Sequence, residues 1–107
     1  MADLRAEKCE ACTQSTPPLS KTDVVALRAL LHADWTVGDA TLRREFRFAN
    51  FGEAFTQAPA IALLAEDQGH HPDLEVGWGR LAVALTTHKI HGLSRNDFVM
   101  ASKIDAL

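Results

Sequence analysis

The sequence predicts an α+β fold, a single domain in which a four-stranded antiparallel sheet carries three helices on one face. Three observations predict it. Two pairs of short segments alternate apolar and polar residues with the period of a strand. Three other segments place a capping signal ahead of an apolar helical stripe. The two kinds follow one another in the order α-β-β-α-β-β-α, and two hairpins separated by a helix join as one antiparallel sheet. A chain of 107 residues is long enough for one core and too short for two.

Residues 1–18 mix charges, Ser/Thr and the Pro17-Pro18 pair without an apolar period, so they read as an irregular arm with little part in function, ahead of a domain over residues 19–107. Cys9 and Cys12 form a lone C-x-x-C in that arm. A structural zinc site wants four ligands and a redox motif wants a strand before it, so both read as incidental thiols. Ser20 with Asp23, and the Leu19–Val24 staple, open a helix running to about His32 with Val24, Leu27, Leu30 and Leu31 as its core stripe. His32 reads as a surface residue at the helix end.

Trp35–Val37, the Gly38-Asp39 turn and Thr41–Phe48 read as a hairpin, with Leu42, Phe46 and Phe48 on one face and Arg43, Glu45 and Arg47 on the other. Asn50, supported by Glu53, caps a second helix whose core spacing picks out Phe51, Phe55, Ala58, Ile61, Ala62 and Ala65. Pro59 inside it costs about 3 kcal/mol and predicts a kink or two helical pieces.

From Asp73 a second hairpin alternates Leu74, Val76 and Trp78, then Leu81, Val83 and Leu85, with Gly77 and Gly79 marking the turn or a bulge. That alternation puts His88 at a strand end, on the face opposite Leu85. Ser94, Asp97 and the Leu93–Phe98 staple open the last helix, which carries Phe98, Ala101, Ile104 and Leu107. Met100 adds apolar surface beyond one stripe and places this helix near an interface between subunits.

A net charge of −3 with no Lys/Arg block argues against a nucleic-acid surface. The longest apolar runs, such as Ala58–Ala65, fall far short of a membrane span, and no signal-type apolar core follows the N-terminal charges. The expectation is a cytoplasmic protein whose partners are small molecules or other proteins. Four of the five histidines, His70, His71, His88 and His91, lie between Glu66 and Asp97, and imidazole is the side chain that titrates near neutrality. Pro72 biases His71 away from helix, so the pair sits where a helix gives way to an extended segment. Three readings stand at this point: a histidine acid/base site, a metal site, or unrelated surface and capping histidines. The metal reading has no H-E-x-x-H to support it.

Glu66, His70-His71-Pro72, Trp78, His88 and Asp97, seven positions over 32 residues, resemble the signature of the pterin-4a-carbinolamine dehydratases, also called 4a-hydroxytetrahydrobiopterin dehydratases. The resemblance extends through Trp35, the run Arg44 to Phe48, Asn50-Phe51 and Ala54-Phe55 to the C-terminal helix. It implies the same α-β-β-α-β-β-α order and a hydro-lyase that dehydrates a 4a-carbinolamine to a quinonoid dihydropterin. The pterin is then the substrate, with no cofactor and no metal, and the functional partner is an aromatic amino-acid hydroxylase. By the resemblance His70, His71 and His88 are the catalytic residues, His71 also binding substrate with Glu66, Pro72, Trp78, Thr87 and Asp97. It further implies a homodimer or homotetramer. The alternatives are a protein-binding role as dimerisation cofactor of a transcription factor, or a drifted pterin-binding task. Gly69, Pro59 and His91 depart from the family pattern.

Overall fold

The computed structural model describes residues 3–11 and 15–107, and the C-x-x-C reading therefore lies partly outside the described residues, at Cys12. Strands β1 (Thr36–Val37), β2 (Leu42–Arg47), β3 (Asp73–Gly77) and β4 (Arg80–Leu85) form one sheet in the order β1-β2-β4-β3, antiparallel throughout. Helices α1 (Lys21–Arg28), α2 (Phe51–Gln68) and α3 (Arg95–Asp105) complete the expected α-β-β-α-β-β-α order, with two 3₁₀ turns at Leu4–Ala6 and His88–Ile90. Alternation decides which face of the sheet is covered. Leu42, Leu81, Val83 and Leu85 are buried in one core with Ile61 and Ala65 of α2 and Phe98, Ala101 and Ile104 of α3. The opposite face carries Arg43, Glu45, Arg47 and Glu75 around the small side chains of Ala82 and Ala84, with Arg43 and Glu75 paired at 3.8 Å.

Three helices depart from expectation in ways that local physics explains. α1 stops at Arg28 rather than near His32, because Leu30 and Leu31 switch to three-residue backbone bonds and the Arg28 side chain donates to the Ala33 carbonyl. Leu27 is buried, Val24 and Leu31 pack against the core, and Leu30 is exposed. α2 runs unbroken through Pro59. Phe51, Phe55, Pro59 and Leu63 form an i, i+4 ridge that is exposed, so the hydrogen bond proline cannot make is lost on the solvent side of the helix. Phe51 and Phe55 stack with centroids 6.5 Å apart outside the core they were expected to fill, and Ala62 is exposed as well, while Ala54 and Leu64 pack inward.

α3 is the larger correction. Phe98, Val99, Met100, Ala101 and Ile104 are all buried within the one chain, so its surplus apolar surface is no sign of an interface. The Leu4–Ala6 turn of the N-terminal arm packs against α3, with Leu4 only 2% exposed. At its end, Asp105 accepts from Trp35 Nε1 at 2.8 Å and from Arg44 at 2.7 Å, tying α3 to the first hairpin. The second hairpin turns through Trp78-Gly79. Gly79 has φ of 65° and a Cβ there would stand 2.9 Å from the Phe48 carbonyl oxygen, so only glycine fits.

Candidate active site

The site grows from the end of α2. Gly69 adopts the left-handed conformation at φ 65°, and its N–H and that of His70 both donate to the Ala65 carbonyl, at 2.9 and 3.3 Å. This C-cap stops the helix and presents His70-His71 on the chain leading into β3. The position demands a residue tolerant of positive φ, which glycine supplies without strain.

His70 Nε2 lies 2.6 Å from Asp97 Oδ1. Asp97 is fully buried, and its other oxygen accepts from Thr87 Oγ1 at 2.8 Å and from the Ser94 backbone N–H at 2.9 Å. Thr87 and Ser94 hydroxyls are 2.7 Å apart. Asp97 thus fills both roles open to it: one oxygen closes the capping box of α3 and the other holds His70. An ionised carboxylate only accepts hydrogen bonds, so His70 donates from Nε2 and keeps Nδ1 as its acceptor.

His88 does not close a strand. β4 ends at Leu85, Thr87 pairs with Gly92 across a tight reversal, and His88 opens the 3₁₀ turn that the reversal encloses. That turn swings His88 out to join His70, His71 and Thr87 in the wall of a cavity of about 300 Å³, within the size range of small-molecule sites. Among the described residues no group of three His, Cys, Asp or Glu side chains is placed to hold a metal ion.

A family model for pterin 4 alpha carbinolamine dehydratase matches residues 17–107. The chain belongs to that family. A protein of Alkaliphilus metalliredigens named "Putative pterin-4-alpha-carbinolamine dehydratase" is 46% identical over 106 residues, covering 98% of this chain and 96% of the relative. One of the same name from Rubrobacter xylanophilus is 42% identical across the whole of both chains. A solved structure from Brucella melitensis, described as a transcriptional coactivator/pterin dehydratase, superposes with a TM-score of 0.75 at 31% identity, over 83% of this chain and 96% of that one.

Pterin carbinolamine dehydratases are lyases that bind a pterin, and this member brings together most of its signature. His70, His71, His88 and Thr87 line one cavity and Asp97 stands behind His70. Glu66 is exposed, with an oxygen 3.6 Å from His71 Nε2, and reaches the cavity only through that histidine. Pro72 lies outside the cavity wall, between α2 and β3. Trp78 sits in the β3–β4 turn, at the opposite end of β3 from the histidines and 74% exposed, so within this chain it is neither core nor cavity wall. His91 faces a different groove, with Leu19 and Val37. Unforeseen in the wall are Glu10, Ala11, Thr86, Lys89 and Asn96. Lys89 and Asn96 are next to signature residues, which was a usable signal; the arm had no apolar period to announce it.

Proposed function

We propose that this chain dehydrates a 4a-hydroxytetrahydropterin to a quinonoid dihydropterin and water by histidine acid/base catalysis. The observation that carries the reading is His70, held from behind by Asp97, in the wall of a cavity shared with His88. The C4a–O bond breaks with a proton delivered to the departing hydroxyl, N5 loses its proton, and C4a=N5 forms. Asp97, bonded to His70 Nε2, orients the ring and leaves Nδ1 to receive the N5 proton. His88, exposed to solvent, suits proton delivery and recharging by water. His71, steadied by Glu66, and Thr87 supply contacts to the bound ring.

The product is a substrate for reductive recycling, so the reaction belongs after aromatic amino-acid hydroxylation, with the hydroxylase as functional partner. Stopped-flow measurement of carbinolamine dehydration tests the assignment; a rate no faster than the uncatalysed reaction would reject it. We further propose that the pterin is substrate alone and no metal or cofactor takes part, because only proton transfers are needed. Dialysis against a chelator should leave the rate within experimental error, and activity lost with a stoichiometric metal would overturn this.

The buried apolar side of α3 gives no ground for an oligomer, whereas an open sheet edge and an exposed helix ridge do. β3 is an unpaired edge of five residues, and the outer ridge of α2 exposes Phe51, Phe55 and Leu63 together. We propose a homodimer or homotetramer formed through these surfaces. Light scattering should give a multiple of 11.7 kDa at micromolar protein, and the monomer mass would contradict it. The description of the Brucella melitensis relative as a coactivator favours a second reading, in which the same ridge binds a different protein. A monomer with full dehydratase activity would direct attention there.

A further inference from the structure

We propose that residues 10 and 11 of the N-terminal arm form a wall of the pterin cavity, and that Glu10 is a substrate-binding residue that selects the pterin ring by accepting from its 2-amino group and N3–H. This rests on the dehydratase reading above and concerns residues that lie ahead of the family match, which begins at residue 17.

The arm is anchored at several points between Leu4 and Glu10. Leu4 is buried in the core, Lys103 Nζ donates to the Arg5 carbonyl at 2.8 Å, and Arg95 makes two hydrogen bonds to the Glu7 carboxylate, at 2.7 and 2.6 Å. That guanidinium holds the Glu7 carboxyl below the usual carboxylate range, so the pair contributes its attachment at neutral pH and loses it only as pH falls below that range. Closer to the cavity, the Cys9 N–H donates to Gln68 Oε1 at 2.9 Å, the Glu10 N–H donates to Asn96 Oδ1 at 2.9 Å, and Asn96 Nδ2 donates back to the Glu10 carbonyl.

The choice of anchors matters. Gln68 comes two residues before His70 on the end of α2, and Asn96 precedes Asp97 in the first turn of α3. The turn that holds His70 therefore also holds Glu10, which places the arm in register with the histidines.

The chemistry needs such a group. The reacting atoms C4a and N5 lie at the ring fusion, while the 2-amino group and N3–H present two adjacent donors at the far edge of the pyrimidine ring. A carboxylate accepts both at once. Asp97 already has three donors, and Glu66 lies outside the wall. Glu10 is the one carboxylate lining the cavity among the described residues, and no other described side chain occupies it with a hydrogen bond.

The test uses the full chain and two stable probes, biopterin and 6,7-dimethyllumazine, the latter carrying a carbonyl oxygen in place of the 2-amino group. Wild type should dehydrate the carbinolamine and prefer biopterin. Glu10→Gln should raise KM and the biopterin Kd by about tenfold, the size of one charge-assisted hydrogen bond, with kcat within about twofold. Its preference for biopterin over the lumazine should fall by a similar factor, and Glu10→Asp should recover part of it. Active wild type with unchanged KM and preference in Glu10→Gln would overturn the proposal, as would equal losses for both probes, which report a collapsed arm. Wild type that neither dehydrates nor binds biopterin would reject the dehydratase reading and this assignment with it.

Discussion

His70→Ala and His88→Ala are each expected to lower the rate of dehydration by about 10²- to 10⁴-fold, roughly 3 to 5 kcal/mol of barrier, the usual worth of a positioned acid or base. Neither substitution should endanger the fold. His88 is exposed on a 3₁₀ turn, and His70, though largely covered, contributes one hydrogen bond to a carboxylate that keeps two other donors. Loss of rate should appear in kcat, with KM little changed, if both groups act mainly in the transition state. The double variant should lose less than the product of the two single losses, since a proton delivered without one removed completes nothing. Wild-type turnover in both folded single variants, measured by stopped flow with circular dichroism as the control for folding, would remove histidine catalysis from the account.

How much of this was legible in the sequence depends on whether the deciding physics is local. Alternation along Thr41–Phe48 and Leu81–Leu85 identified the inward face correctly, because period two leaves a strand only one way to bury its apolar set. The caps at Ser20, Asn50 and Ser94 were equally readable, each helix starting immediately after its cap. Misplacements arose where a contact from elsewhere in the chain decides burial. Phe51 and Phe55 have core spacing along α2, yet the sheet meets the face carrying Ala54, Ile61 and Ala65. α3 looked too apolar for a single stripe because the arm that packs against it has no periodic pattern of its own.

The site follows the same division. The His70-His71-Pro72 junction could be read directly, since the conformational limits of glycine and proline are local. The exit of His88 from the strand could not, because the Thr87–Gly92 pairing that ends β4 has no signal beyond one glycine. Asp97 was legible as a helix cap and, through resemblance, as a site residue; that each oxygen of one carboxylate serves one of those roles is a matter of three-dimensional placement.

Asp97→Asn is expected to inactivate the protein while largely keeping its structure, and Asp97→Ala to damage both. Asparagine retains one acceptor oxygen, which can stay with Thr87 and the Ser94 N–H and so preserve the cap of α3. Its amide nitrogen would then face His70 Nε2 as a donor, forcing that nitrogen to accept and moving the imidazole proton to Nδ1. Nδ1 is the atom assigned to receive the N5 proton. Such a tautomer change is worth about 10²- to 10⁴-fold in rate, comparable with deleting His70, and the two changes together should cost hardly more than either alone. Alanine instead leaves the Thr87 hydroxyl, the Ser94 N–H and His70 without their shared acceptor in a region closed to water. Removing one member of a buried charged network costs about 3–5 kcal/mol, a large share of the roughly 5–15 kcal/mol that holds a small domain together. Urea unfolding should therefore separate the two variants by their midpoints, and stopped flow should find both nearly inactive. An Asp97→Asn protein turning over within twofold of wild type would show that Asp97 is a helix cap alone and that His70 works without it.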